Sequence, residues 1–262
     1  MNLSLQGKTA LVCGSSQGIG KAAAIELALL GANVILLARN ETSLQDALSE
    51  LDSSQGQLHD YLIADFSEPD LLKTILHDFM ADGKIIHILV NNTGGPAGGP
   101  AHTATIDAFR AAFEMHLICN QILVQATMEG MKKAGYGRIV NVISTSVKQP
   151  LDNLGVSNTI RGAVANWAKT LANELGQFGI TVNNVLPGAT NTVRLQSILE
   201  NKSQKTGKSL EEVAAGMKAQ VPAHRFAEAN EIAAAIAFLV SPAAGYINGV
   251  NLPVDGGRTK CL

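Results

Sequence analysis

What most limits how this chain can fold is an alternation of short, solidly apolar runs with stretches of helical periodicity. "TALVC" (9–13) leads into "IGKAAAIELALLGA", where Ile19, Ala23, Leu27 and Leu30 recur at helical spacing and Gly31 supplies a C-terminal stop. "NVILLA" (33–38) follows, then a helix over about 41–51, a strand over 58–63 and a helix over about 68–79. "IHILVNN" (86–92) precedes a long helix over about 106–132. "GRIVNVI" (137–143), "ITVNNVL" (180–186) and "VNLPV" (250–254) complete the predicted strands. Runs this uniformly apolar belong to strands whose two faces are both covered. A strand–helix alternation places those covers by crossover, so the expected fold class is α/β: a doubly wound parallel sheet of about seven strands with helices on both faces. No Pro- or Ser-rich linker, low-complexity tract or charge block divides residues 1–262, which read as a single domain.

Composition excludes several function classes. Hydrophobic residues make up 46% and charged residues 16%, which describes a chain with a large core rather than a disordered one. The net charge is −2 and no basic stripe appears, so nucleic acid is not an expected partner. Cys13, Cys119 and Cys261 show no paired spacing, which points to a reducing, cytoplasmic setting and to no metal site. Cys13 and Cys119 sit in apolar runs and read as buried small hydrophobes. The first residues lack the apolar core of a signal peptide, and no segment reaches the ~20 apolar residues of a membrane span, so no membrane partner is expected. The segment 189–222 is polar and lysine-dotted ("NKSQKTGK"). It reads as a lid over a substrate cleft, or else as a solvated helical insertion, because ligands of such sheets sit outside the carboxyl ends of the strands.

"CGSSQGIG" (13–20) joins the first strand to the first helix. Gly14, Gly18 and Gly20 allow a tight turn and close backbone approach, and the helix beginning there aims its unpaired N–H groups at a ligand. A dinucleotide pyrophosphate is held this way, and the strand–turn–helix context is the required one. The spacing is G-x-x-x-G-x-G. With it the sequence resembles the short-chain dehydrogenase/reductase family, many of whose similar members are 3-oxoacyl-(acyl-carrier-protein) reductases. "NNTG" (91–94), "IADF" (63–66), "GRIVNVIS" (137–144), "LPGATNT" (186–192) and "VDGG" (254–257) resemble further family motifs, in order, across residues 5–258.

That resemblance implies a Rossmann-type domain, a nicotinamide dinucleotide and interconversion of a small-molecule carbonyl and alcohol. It implies cofactor contacts from Gly14, Ser16, Gln17, Gly18, Ile19 and Gly20 in the turn, and from Asp65 and Phe66 near the adenine. Asn92, Thr93 and Gly94 follow the fourth strand, and Pro187, Gly188, Thr190 and Thr192 lie near the nicotinamide. The second strand ends "LLARN", with Ala38 where NAD-using members place an acid. Arg39, followed by Asn40, can pair with a 2′-phosphate and no carboxylate stands at the strand tip to repel it, so NADP(H) is favoured over NAD(H). Gln17 stands where many NADP-binding members carry a basic residue. A homotetramer, or a dimer, is implied by analogy alone.

The family's catalytic serine matches Ser144. Its Tyr-x-x-x-Lys pair, counted from there, falls on Ser157 and Arg161 in "GVSNTIRGA". Tyr61, Tyr136 and Tyr246 lie too far along the chain to substitute. The family's helix asparagine aligns with His116, with Asn120 a turn away. At about 100° per residue, Ser157, Arg161, Ala165, Ala168 and Ala172 share one helical stripe, opposite Asn166, Lys169, Thr170 and Asn173. Arg161 is therefore expected to point inward and to need a partner, either cofactor, substrate anion or structural acid. A serine hydroxyl is a poor acid and arginine stays protonated, so the proton source is sought at His116, as an imidazole titrating near neutrality, or at Lys148. The loop "TGGPAGGPAHT" (93–103) reads as an irregular, mobile wall, with His102 facing solvent. Two readings stay open: an oxidoreductase with an atypical site (catalytic residues Ser144, Ser157, Arg161 and His116), or a dinucleotide-binding protein without catalysis.

Overall fold

In the computed structural model, which describes residues 1–261, the apolar runs pair as seven parallel strands. They are β1 (Thr9–Cys13), β2 (Asn33–Ala38), β3 (Asp60–Ile63), β4 (Ile88–Asn91), β5 (Gly137–Val142), β6 (Ile180–Pro187) and β7 (Asn251–Val254). Their order is β3-β2-β1-β4-β5-β6-β7, so the winding direction reverses between β1 and β4. The helices are α1 (Gly18–Leu29), α2 (Glu41–Ser49), α3 (Pro69–Met80), α4 (Ile106–Phe113), α5 (Cys119–Ala134), α6 (Gly155–Leu175), α7 (Val193–Thr206), α8 (Leu210–Lys218) and α9 (Ala229–Val240). Among the described residues no helix is long and apolar enough to cross a membrane.

The two-sided burial read from the strands is realised residue by residue. Ala10, Val12, Val34, Leu36, Ile88 and Val90 face a core built with Ala23, Ala24 and Leu27 of α1 and Ile232, Ala233 and Ile236 of α9. Leu11, Cys13, Ile35, Leu37 and Leu89 face the other core, with Leu72 and Leu76 of α3, Leu123 of α5 and Ala168 and Ala172 of α6. The period-two alternation of side chains along a strand feeds both layers at once.

Two elements depart from the expected pattern. The helix anticipated over 106–132 is broken into α4 and α5 by a π turn over Glu114–Ile118. The helix α9 carries no amphipathic signature in "ANEIAAAIAFLV" because it is apolar nearly all round and packs against both α1 and the strands β5 to β7.

One polar row crosses the sheet. Asn91, Asn141, Asn184 and Asn251 are in register on β4, β5, β6 and β7. Each amide passes a hydrogen bond to the next: Asn91 Nδ2 to Asn141 Oδ1 (2.8 Å), Asn141 Nδ2 to Asn184 Oδ1 (2.9 Å) and Asn184 Nδ2 to Asn251 Oδ1 (2.8 Å). The first three are buried, so the row satisfies groups that would otherwise be costly there, all but Asn91 Oδ1, which has no partner among the described residues.

Candidate active site

The turn after β1 lies where the winding reverses, the place where sheets of this kind bind ligands. Asn92, just past β4, closes the gap: its Nδ2 donates to the carbonyls of Cys13 (3.3 Å) and Gly14 (3.2 Å). A Cβ on Gly14, at φ +58, would stand 2.6 Å from the Asn92 carbonyl oxygen, and one on Gly20 would stand 2.2 Å from the Gly14 carbonyl. Strand, turn and helix therefore meet at a separation only glycine permits. Ser15 pins the turn to β2, its hydroxyl accepting from Leu37 N (2.9 Å). Gln17, the residue preceding α1, makes no side-chain cap, and the first turn of α1 carries no acid. The leading N–H groups of α1 thus lack a side-chain acceptor, the condition under which a helix start holds an anion.

Of the other expected cofactor residues, Thr192 lies against this turn, beside Gly18. Pro187 ends β6, and a Cβ on Gly188 would meet Asp255 Cα at 2.8 Å. The Thr190 hydroxyl donates to Gly188 O (3.1 Å). Thr192 caps α7, accepting from Leu195 N (3.4 Å), and its methyl lies 3.3 Å from where a Gly18 Cβ would be. Ser16 and Ile19 are half-buried and Gln17 is exposed. Thr93 and Gly94 open the loop after β4. Phe66 is buried, its carbonyl accepting from Cys119 Sγ at 3.3 Å.

At the ends of β2 and β3 an open cleft of about 440 Å³ is lined by Arg39, Asn40, Ile63, Ala64, Asp65 and Leu71. Asn40 caps α2, accepting from Ser43 N (2.8 Å). Arg39 is largely exposed, and its Nη1 lies 3.8 Å from Asp65 Oδ2. The expectation of a guanidinium with no carboxylate at hand is corrected: the fold brings Asp65 over from β3. The Ser67 N–H bonded to Asp65, and then Arg39, hold that carboxyl below its ordinary range.

A second constellation lies where α6 meets the end of β5. The helical stripe is inward as read: Arg161, Ala165, Ala168 and Ala172 are buried and Ser157 half-buried, while Asn166, Lys169, Thr170 and Asn173 are exposed. Arg161 is 8% exposed. Its Nη1 donates to Val142 O at the end of β5 (3.0 Å), and its Nε has no partner among the described residues. Ser144 follows that strand end, with its hydroxyl accepting from Ser146 N (3.1 Å). Among the described residues the Ser157 hydroxyl has no hydrogen-bond partner. His116 sits on the π turn, 1% exposed, with both ring nitrogens unpartnered among the described residues. Burial, and then the Arg161 charge, push its pKa down to about 3. The expectation of titration near neutrality is corrected: the imidazole is neutral at physiological pH. Asn120 is buried one turn further on, at the start of α5.

No tyrosine reaches this place. Tyr136, before β5, donates to Val240 O (2.6 Å), and Tyr61 donates to Glu41 (3.0 Å) on an edge strand. Tyr246 is fully exposed between α9 and β7. Lys148 follows a short 3₁₀ turn, and its carbonyl lies 3.5 Å from Cys261 Sγ. The loop over 93–103 is tied rather than loose, through Gly99 N to Asn153 O (2.7 Å) and Gly155 N to Gly99 O (2.9 Å), and His102 is exposed.

Arg194, in the first turn of α7, is a residue the sequence reading missed. It donates to Pro96 O (2.9 Å), and its charge helps to lower the pKa of Arg161 to about 10, after the larger effect of burial. Its signal was present: helix starts favour acids, and a cation there is out of place unless something else holds it.

The sequence profile described as enoyl-(acyl carrier protein) reductase matches residues 14–259. A tropinone reductase homolog of Arabidopsis thaliana is 35% identical over 260 residues, 98% of this chain and 92% of its own length. The 3-oxoacyl-[acyl-carrier-protein] reductase FabG of Vibrio cholerae is 35% identical over 258 residues, 97% and 98% of the two chains. The crystal structure of L-sorbose reductase from Gluconobacter frateurii, complexed with NADPH and L-sorbose, superposes with a TM-score of 0.92 at 28% identity, covering all of both chains.

Proposed function

Because this chain belongs to the short-chain dehydrogenase/reductase family of oxidoreductases, we propose that it interconverts a carbonyl and an alcohol with NADP(H) at an atypical catalytic site. The observation that carries the reading is the buried Arg161, with its free Nε, reaching the strand end that bears Ser144. The residues fit a dinucleotide: an uncapped α1 start for a pyrophosphate, and an open cleft beside Arg39 for a 2′-phosphorylated adenosine. NADPH in the L-sorbose reductase complex supports the same choice. Asp65 beside Arg39 opposes it in part, because a 2′-phosphate must compete with that carboxylate.

The bound nicotinamide would supply or accept the hydride. The chain's part is then to hold the carbonyl and to stabilise charge on its oxygen. Ser144 and Ser157 are suited to orient that oxygen, each by a hydroxyl. Arg161 would fix the nicotinamide ribose or a substrate anion. His116, neutral, would donate a hydrogen bond through one ring nitrogen and relay a proton rather than carry one as imidazolium. We read α7 and α8 as the lid: they follow β6 at the carboxyl edge of the sheet and share only a small cluster of their own, Leu195, Leu199 and Val213 with Phe226.

The test is loss of NADPH absorbance across ketones, keto acids and 3-oxoacyl thioesters, with NADPH binding measured beside it. Turnover is expected, and Arg161→Ala is expected to reduce kcat/KM at least 100-fold. An Arg161→Ala enzyme as fast as the parent would remove its assigned role. NADPH binding with no turnover on any carbonyl would leave a dinucleotide-binding protein instead.

A further inference from the structure

Arg161 and Arg194 come from different helices and converge on one small space. An ideal Cβ built on Gly95 would stand 3.7 Å from Arg194 Nη2 and 3.9 Å from Arg161 Nη2. Both guanidinium ends thus come within 4 Å of a single point that the glycine leaves empty, Arg194 through the same Nη2 that donates to Pro96 O. Like charges so placed repel; Arg194 is exposed to solvent, which screens its charge, whereas Arg161 is buried. Among the described residues neither arginine is in an ion pair. Each uses one amino nitrogen on a backbone carbonyl, Val142 O or Pro96 O, which leaves further N–H donors unspent. Arg161 is more than nine-tenths buried with its Nε unpartnered.

Neighbouring elements add positive potential. The helices α6 and α7, which carry Arg161 in the second turn and Arg194 in the first, have no acid in their first turns, as α1 and α5 also have none, whereas α2, α3, α4, α8 and α9 each have at least one. A buried cation without a counter-charge is expensive, and the cost is recovered only when an anion arrives. Guanidinium pairs bind oxyanions through parallel N–H donors.

We propose that Arg161 and Arg194, with Gly95 as the floor between them, form an oxyanion-recognition subsite that selects carbonyl substrates bearing a carboxylate or a phosphate group. The proposal rests on the reading of this cleft as the substrate site. It deepens that reading by giving the substrate a charge: the reacting carbonyl lies toward Ser144 and Ser157, and the anion lies between the arginines. The same oxyanion chemistry also occurs in the cofactor, so the test separates the two.

Binding is measured calorimetrically on the NADPH-loaded protein, which keeps the result independent of whether hydride moves. The probes are 4-oxopentanoate against its methyl ester, and dihydroxyacetone phosphate against dihydroxyacetone. The parent is expected to prefer at least one anion over its neutral counterpart by tenfold or more, and the preferred pair identifies carboxylate or phosphate. Arg194→Gln is expected to reduce that preference at least tenfold. Gly95→Asp should place a carboxylate between the guanidiniums, raising Tm by about 2 °C or more while abolishing the preference. A Tm that falls in Gly95→Asp would overturn the proposal, as would equal affinity for charged and neutral probes. It is equally overturned if the anion preference is found in the NADPH-free protein and is absent from the NADPH-loaded one, since the arginines would then serve the cofactor. Anion preference without any turnover would keep the subsite and sink the oxidoreductase reading; turnover without preference would do the reverse.

Discussion

His116 illustrates how much a single position can be altered by its surroundings. The residue type alone suggested a group poised near neutrality, but the ring lies under protein and beside a guanidinium, both of which disfavour its charged form. Linkage fixes the sign of the consequence. Above pH 6.5, the ordinary value, the ring is neutral whether the chain is folded or not, and it contributes nothing. Between 6.5 and about 3 the unfolded chain takes up a proton that the folded one refuses, so stability falls as the pH falls, by at most about 1.4 kcal/mol per pH unit. His116→Gln removes this slope. Urea unfolding of the two proteins at pH 7, 6 and 5 should show the parent losing ground steadily relative to the variant; parallel curves would mean that the ring protonates freely in the native state.

At the level of elements, Thr192 joins two tasks, capping α7 and covering Gly18 of the turn after β1. Thr192→Ala should cost about 1 kcal/mol of stability and weaken NADPH binding several-fold. Loss of stability with unchanged NADPH affinity would separate the cap from the cofactor. Sequence read well where pattern and burial agree. The strands β1, β2, β4, β5 and β6 were legible because both their faces are buried, and the α6 stripe because its apolar and polar faces are distinct. The break between α4 and α5 was not legible, because a π turn adds one residue to a helix without changing its composition. Yet that turn carries His116. The helix α9 was missed for the opposite reason, having no polar face to give its period away. Arg194 was passed over despite its place at a helix start, since a basic residue in a lysine-dotted tract reads as solvated until the fold sets it near Arg161. Likewise Asp65 and Arg39 are 26 positions apart in the chain and become neighbours only through β2–β3 pairing.

For the molecule as a whole, one sheet carries both cores, and its ends are short. The edge strands β3 and β7 have four residues each, and β7 includes Pro253. Such edges resist strand-to-strand addition. Inside, the asparagine row binds four strands. Asn141→Leu would strand the Asn91 amide donor and the Asn184 amide acceptor together, both buried, and is expected to cost about 3 kcal/mol or more in urea unfolding. A cost under about 1 kcal/mol would mean that the neighbours find other partners. The row also has a history written into it. Each inner amide is needed by two others, so a lineage that began to trade these asparagines for apolar residues would pass first through the most damaged intermediate. Such a feature is easier to inherit than to lose. Anyone redesigning this sheet would do well to move the four positions as a set or leave them alone.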